Sequence, residues 1–285
     1  MKIAFITFRD VPALNPGDKL LVKPVESLGH QVFAVPWDRK ATDWSSFDAV
    51  IPRSCWNYHL KFADFLSWLN SVSRSGPKIL NPLEIIRWNA YKTYLFDLEK
   101  KGVEIIPSVL VKKNSPSIPE DIFYKFKSEE LVIKPTVGAS AFNIISVKKS
   151  ELKYKLKDLD RVLRHSDCLI QPLFEEIYGG EISMVFIDKE FSHAVIKRPR
   201  KNEFRVQIEL GGTEKPVKLP GEVINAGKKI IDNVAGDLLY ARVDGLINKG
   251  RFILMELELI EPYLFVEFHP PSAFRFAEAL NRLIV

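Results

Sequence analysis

The residues best suited to chemistry lie near the C-terminus, where Arg242, Asp244, Glu256 and Glu258 alternate with apolar residues over 240–247 and 251–259. Asn248-Lys249-Gly250 separates the two runs, which predicts a hairpin with Gly250 in the left-handed conformation. Pairing Ile247 with Arg251 sets Asp244 opposite Leu254, Arg242 opposite Glu256 and Tyr240 opposite Glu258. Side chains alternate across a strand, so the arginine and the three acids share one face, and Val243, Met255, Leu257 and Leu259 occupy the other. Such a face suits a hard cation such as Mg²⁺, which bridges carboxylates to phosphates. A solvated sheet face is the plain alternative.

Lys134 sits inside the apolar run Leu131-Val132-Ile133-Lys134-Pro135. Burying an ammonium is costly unless it is paired, so phosphate oxygens are its candidate partners. The alternative is a lysine that snorkels at a strand end. The next residues, Thr136-Val137-Gly138-Ala139-Ser140-Ala141, are a small-residue turn whose backbone N–H groups could close over phosphates, although GxxxxGK[ST] is absent. Lys92 is a second phosphate candidate, with a solvated helix face as its alternative.

Strands at 3–8, 31–35 and 47–52 alternate with helices at 18–28 and 62–72, which predicts a parallel α/β sheet. Ser75-Gly76-Pro77 and Asn81-Pro82 place a boundary near residue 84. Beyond it the pattern is α+β. A helix at 85–101 leads to strands at 105–111, 131–134, 142–147 and 168–173, with a Ser/Pro loop at 114–119 and a charged helix at 149–164. Strands at 181–187, 191–197, 204–210, 239–247 and 252–260 follow, with helices at 223–235 and 273–280. The predicted division is 1–84, 85–172 and 173–285.

In 285 residues, 46% hydrophobic, there is enough apolar material for a sizeable core, which excludes a disordered or collagen-like chain. No run approaches the ~18 apolar residues of a membrane span. The N-terminus reads as a strand and not a signal peptide. Two cysteines exclude a disulfide framework and a CxxC zinc cluster. The expectation is a soluble, cytoplasmic protein. A net charge of 41 − 36 = +5 suits an anionic ligand, but the basic clusters are short and without interleaved aromatics, so neither a nucleic-acid nor a membrane partner is expected.

Taken in order, Asn89 and Lys92, Val132-Ile133-Lys134-Pro135, Ile170-Gln171-Pro172-Leu173 with Glu175 and Glu181, Arg242-Val243-Asp244 and Leu254-Met255-Glu256-Leu257-Glu258 resemble the ATP-grasp superfamily. Pro36-Trp37-Asp38, the run 43–50, Arg53-Ser54-Cys55-Trp56-Asn57-Tyr58-His59, Phe65-Leu66-Ser67-Trp68-Leu69 and 256–262 are similar to its cycloserine-forming cyclo-ligase branch. The resemblance implies a Rossmann-like N-terminal domain and two α+β subdomains clasping ATP, and a carboxylate–amine ligase working through an acylphosphate. It implies that Lys92 and Lys134 hold the phosphates, helped by the turn carrying Gly138 and Ser140. Gln171 to Leu173 would line the adenine pocket, and Glu181 would bind the ribose. Asp244, Glu256 and Glu258 would hold Mg²⁺ (or Mn²⁺), and Arg242 would stabilise the oxyanion. Lys197 and Arg205 match further phosphate contacts more loosely. Relatives that form dimers make a homodimer one option. Glu258 stands where the superfamily usually has Asn, and the phosphate turn has one glycine where many relatives have several.

The remaining candidates concern the substrate. Arg53 follows a strand ending at Pro52, where parallel sheets place ligands, so it is the candidate for a substrate carboxylate, with a structural ion pair as the alternative. Trp56 and Tyr58 suit an acceptor pocket or a core. Cys55 reads as a small buried hydrophobe. The five histidines show no HxxH or HExxH spacing. Two rival functions stay open: a ring-closing ligase, and an ATP-binding protein without turnover.

Overall fold

The computed structural model describes residues 1–115, 118, 121–139 and 141–285, so Ser140 and part of the loop at 114–119 lie outside it. The N-terminal part runs β1 (Lys2–Thr7), α1 (Pro16–Ser27), β2 (Gln31–Pro36), β3 (Ala49–Pro52), α2 (Phe62–Ser75) and β4 (Lys78–Ile79). All its strand pairs are parallel, in the order β2-β1-β3-β4. Helix α1 starts where Asn15 accepts the Asp18 N–H at 2.8 Å and Pro16 opens the first turn.

Next come α3 (Leu83–Asn89), α4 (Tyr94–Lys100), β5 (Val109–Val111), α5 (Asp121–Phe126), β6 (Glu130–Pro135), β7 (Ile145–Lys148), α6 (Leu152–His165) and β8 (Cys168–Pro172). Their sheet is antiparallel, ordered β5-β8-β6-β7. The last part holds β9 (Glu181–Ile187), β10 (Glu190–Arg198), β11 (Thr213–Pro216), α7 (Gly221–Asp232), β12 (Tyr240–Asn248), β13 (Arg251–Glu258) and α8 (Pro271–Ile284). This sheet is also antiparallel, ordered β11-β10-β9-β12-β13. Among the described residues no helix is long and apolar enough to cross a membrane.

Helix α8 ties the first part to the last. Phe276 and Leu280, both fully buried, join one core containing Ile3 and Phe5 from β1 and Val185 and Ile187 from β9. Asn81 reinforces the join: its amide donates to the carbonyls of Tyr240 (2.9 Å) and Leu259 (2.8 Å) and accepts the Leu239 N–H (2.8 Å).

Four expectations are corrected. The helix expected at 85–101 is two helices, α3 and α4. The Lys92 N–H leaves the helical ladder to donate to Thr136 O at 2.7 Å. The Asn89 amide meanwhile bonds Leu257 O (2.7 Å) and Leu259 N (2.9 Å) on the neighbouring sheet. The strand expected at 204–210 is irregular, because Glu203 accepts the N–H groups of Phe204 and Arg205 that a ladder would use. The edge position beside β10 goes to β11 instead. Of 105–111 only Val109–Val111 pairs as a strand; ahead of it, Ile106 N donates to Leu254 O at 3.0 Å.

The hairpin register is the fourth. Asn248 pairs with Arg251 across a two-residue turn, Lys249 and Gly250, both at positive φ, the pattern of a type I′ turn. A bulge between Asp244 and Gly245 then shifts the register, so Asp244 faces Glu256 and Arg242 faces Glu258. The shared acidic face survives because the tighter turn and the bulge offset each other in parity. Gly245 is required at the bulge, since a Cβ there would lie 2.3 Å from Ile253 O. Met255 packs not with Val243 but with the cluster of Ile106, Ile177, Val206, Leu246 and Ile253.

Candidate active site

A cavity of about 810 Å³ opens where the three sheets meet, within the usual range for small-molecule sites. Each sheet contributes a wall: Trp56 and Tyr58 follow β3, Lys134 and Gln171 come from β6 and β8, and Glu181, Lys197, Arg242 and Glu256 come from β9, β10, β12 and β13.

Lys134 is buried on β6, and among the described residues its ammonium makes a single, long hydrogen bond, 3.4 Å to Met255 O. Burial pushes its ammonium down to about 8, Glu256 pulling it back and Lys92 adding to the drop. Lys92 reaches the same wall because α3 and α4 are separate; its Nζ donates to Gly138 O at 3.0 Å and pairs with Glu256. That bond fastens the small-residue turn to the site.

Arg242 and Asp244 stand two apart on β12 and point the same way. Arg242 donates through Nε (3.0 Å) and Nη2 (2.8 Å) to the two Asp244 oxygens, through Nη1 to Tyr263 O (3.2 Å), and pairs with Glu258. Ser183, opposite Asp244 on β9, donates to Asp244 Oδ1 at 2.6 Å. Lys197 bridges Glu181 (2.5 Å) and Asp244 (3.6 Å). Although burial would raise it, Arg242 and Lys197 hold the Asp244 carboxyl far below the usual range. Burial, with Asp244 and Glu256 nearby and Arg242 opposing, pushes Glu258 up to about 7.

Gly138, Gln171, Leu173 and Arg205 also line the cavity. Gln171 donates to Ser108 Oγ at 2.8 Å, and Arg205 forms an ion pair with Glu203 at 2.8 Å. The cluster around Ile106, Ile177 and Val206, with Leu173, Phe174 and Met255 against it, makes an apolar floor beside Gln171. Ser140 falls outside the described residues.

Arg53 is placed elsewhere, which corrects its expected role as a substrate contact. It is fully buried behind the wall, donates to Asp18 Oδ1 through Nε (3.0 Å) and Nη2 (2.7 Å), and stacks over Tyr240 at 4.6 Å. A substrate cannot reach it.

The three acids expected to hold a metal share one face, but among the described residues no group of three or more His, Cys, Asp or Glu side chains is gathered as a metal site. Arg242, Lys197 and Lys92 hold them instead. The donor set still fits a hard divalent cation. It is all oxygen, and half-buried Glu258 lies near two further carboxylates whose repulsion a bound cation would relieve.

Sequence reasoning missed Ser183, Glu203 and Glu261. Ser183 had a signal: it stands two residues from Glu181 and so on the same face of β9.

Buried lysines and an arginine facing carboxylates around a cavity of this size suit an anionic, phosphate-bearing ligand. Residues 95–261 match the prokaryotic glutathione synthetase ATP-grasp domain, and residues 3–81 match the N-terminal domain of D-cycloserine synthetase DcsG. The chain belongs to the ATP-grasp ligases of the glutathione synthetase type, enzymes that use ATP to form C–N bonds. It is 27% identical over 279 residues to the cycloserine biosynthesis protein DcsG of Streptomyces lavendulae, covering 91% of each chain. With a probable alpha-L-glutamate ligase of Legionella pneumophila (strain Corby) it shares 28% over 210 residues, 70% of this chain and 67% of that one. The crystal structure of D-cycloserine synthetase DcsG superposes with a TM-score of 0.89 at 25% identity over 100% of both chains. D-alanine–D-alanine ligase from Bacillus anthracis, complexed with ATP, gives 0.70 at 16% identity, covering 100% of this chain and 96% of that one.

Proposed function

We propose that this ligase activates a substrate carboxylate as an acylphosphate and lets a nitrogen of the same molecule displace the phosphate, closing a ring. The observation that carries the ATP half is Lys134: a buried ammonium on the cavity wall that, among the described residues, has only one long bond to a backbone carbonyl is a site waiting for an anion.

In this reading the purine lies on the apolar floor beside Gln171 and Leu173, with Glu181 toward the ribose. Lys92 and Lys134 hold the phosphates, the turn carrying Gly138 and Ser140 closing over them. Lys197, already bridging Glu181 and Asp244, positions those two carboxylates, while Arg205 flanks the nucleotide. Asp244, Glu256 and Glu258 would hold Mg²⁺, with Mn²⁺ as a substitute, and the cation would neutralise charge on the transferring phosphoryl group. The substrate carboxylate attacks the γ-phosphorus and ADP leaves. The nitrogen then attacks the acyl carbon, phosphate leaves, and the nitrogen's proton passes to solvent. Arg242 stabilises the oxyanion of the tetrahedral intermediate, because its guanidinium is already aimed into the cavity by Asp244 and Tyr263 O. No protein nucleophile is needed, since positioning and charge supply the catalysis.

Ring closure is favoured over ligation to a second molecule by similarity to DcsG over 91% of the chain, including the N-terminal part that supplies Trp56 and Tyr58. Opening the amide of a cycloserine ring gives a β-aminooxy amino acid, so that is the proposed substrate class. The three sheets, within 2–79, 109–172 and 181–258, support the division 1–84, 85–172 and 173–285. Dependence on ATP and two free, buried cysteines fit a cytoplasmic enzyme. The test is phosphate release with Mg·ATP and 3-aminooxy-D-alanine alone. One phosphate per ring, with no second amine present, is expected. Release only on adding an amine would favour intermolecular ligation, and tight ATP binding with no release for any acid would favour a protein without turnover.

A further inference from the structure

Three buried carboxylates line the cavity: Glu181, Asp244 and Glu261. The first two are held by cations. Glu261 is 7% exposed and, among the described residues, has neither a hydrogen bond nor an ion pair. Its carboxylate oxygens are not sealed in but open on the cavity, so a cation entering there would pair with them. Arg53 does not supply that cation. Although its Nη2 donates to the carbonyl of the adjacent Pro262 at 2.8 Å, its Nη1 is buried without a partner and makes no bond to Glu261.

The position of Glu261 along the chain gives its place in the reaction. Glu256 touches Lys92 at the phosphate end, and Glu258 touches Arg242 at the proposed acyl carbon. Glu261 follows three residues after Glu258, past the end of β13, and lines the same cavity as Tyr58. Tyr58 is also nearly buried and lines the cavity, and its hydroxyl has no hydrogen bond among the described residues. The Tyr240 hydroxyl bonds both Pro52 O (2.7 Å) and Ile260 O (2.8 Å), so the segment carrying Glu261 lies against the end of β3, just ahead of Tyr58. In an amino acid the ammonium and carboxylate are separated by one carbon. A substrate with its carboxylate at Arg242 therefore carries its ammonium within reach of the next polar groups on the wall.

We infer that Glu261, with the Tyr58 hydroxyl beside it, binds the α-ammonium of the substrate and restricts this ligase to amino acids over plain carboxylic acids. The inference rests on the proposed reading that the substrate carboxylate is activated beside Arg242. An ammonium offers three donors, of which the Glu261 carboxylate and the Tyr58 hydroxyl accept two.

The test compares wild type, Glu261→Gln and Tyr58→Phe on 3-aminooxy-D-alanine and on 3-aminooxypropanoate, which lacks the α-amino group. Glu261→Gln is nearly isosteric and should lower kcat/KM for the amino acid by roughly 10- to 100-fold, mainly through KM, with little change for 3-aminooxypropanoate. Tyr58→Phe should give a smaller loss of the same kind. The thermal shift produced by Mg·ATP should be the same in all three proteins. Equal losses on both substrates would assign Glu261 a structural role, such as pairing with Arg53 Nη1, and overturn the inference. A second readout does not depend on turnover: D-alanine and propionate are titrated calorimetrically in the presence of a non-hydrolysable ATP analogue. Wild type should prefer D-alanine, and Glu261→Gln should lose that preference. If that preference is found but neither aminooxy acid turns over, the ring-closing reading fails alone. If wild type shows no preference for the amine, the Glu261 assignment fails.

Discussion

Two arginines in this protein are built almost alike. Arg53 and Arg242 are both buried, each clamps an aspartate with Nε and Nη2, and each aspartate also accepts a serine hydroxyl, Ser54 on Asp18 and Ser183 on Asp244. Each guanidinium lies over an aromatic ring, Tyr240 in one case and Phe265 in the other. The difference is what lies in front. Asn15 and Ser54 close the wall before Arg53, whereas Arg242 lines the cavity and reaches Glu258. The same local chemistry serves as a rivet in one place and, in the proposed reaction, as the oxyanion-stabilising group in the other, and access to the cavity separates them.

Breaking the rivet should have the largest effect on stability. Asp18→Asn leaves a guanidinium buried without its charge partner and should cost about 3–5 kcal/mol, read from the urea midpoint. Replacing both partners by apolar residues, Arg53→Met with Asp18→Leu, should recover most of that loss, because a buried pair contributes little net stability over a well-packed apolar one. No such rescue is expected of activity at the other arginine. Arg242→Lys keeps a positive charge but loses the fork, and turnover should fall about 10²- to 10³-fold with ATP binding largely kept. A large loss of turnover from the double variant at 18 and 53, or normal turnover in Arg242→Lys, would erase the distinction.

The nucleotide end sharpens the comparison with smaller effects. Mg·ATP at ~100 times its dissociation constant should stabilise wild type by about 2.7 kcal/mol in a thermal-shift titration. The Mg²⁺-dependent part of that shift should shrink in Glu256→Gln. Lys134 adds a pH signature. Its proton leaves the folded protein near pH 8 but the unfolded chain near 10.5. Fold stability should therefore rise with pH across that window, while ATP affinity falls as the amine becomes neutral. In Lys134→Met affinity should be weaker and flat from pH 7 to 9.

A further effect lies outside the cavity. Burial, together with the neighbouring His269, pushes His193 down to about 4. The unfolded chain takes up that proton between about pH 6.5 and 4 while the folded protein does not, so stability should fall as pH drops through this range. His193→Gln should flatten that part of the pH–stability curve.

The acidic face was legible in the sequence because strand alternation has period two, so Arg242, Asp244, Glu256 and Glu258 declare themselves whenever 240–258 folds as a hairpin. Its register was not, because a bulge leaves no local mark beyond Gly245. Lys134 was legible as a cation in apolar company, and Lys92 through the order of motifs that carries the family resemblance. The break that delivers Lys92 was hidden, since helical periodicity runs on through 85–101 while the bonds that interrupt it come from Thr136 and from Leu257 and Leu259 on other sheets. Arg53 was misplaced for a related reason: its partner Asp18 stands on α1, and no spacing rule joins a helix start to the end of β3. Glu261 gave no signal, because a lone acid before a proline is commonplace until the cavity shows it unpartnered.

In the proposed reaction the substrate carboxylate itself attacks ATP in front of Arg242. This is tested with 3-aminooxy-D-alanine labelled with ¹⁸O in its carboxylate, the released phosphate being examined by mass spectrometry. Each phosphate should carry one oxygen from the carboxylate. Unlabelled phosphate released alongside ring formation would contradict it.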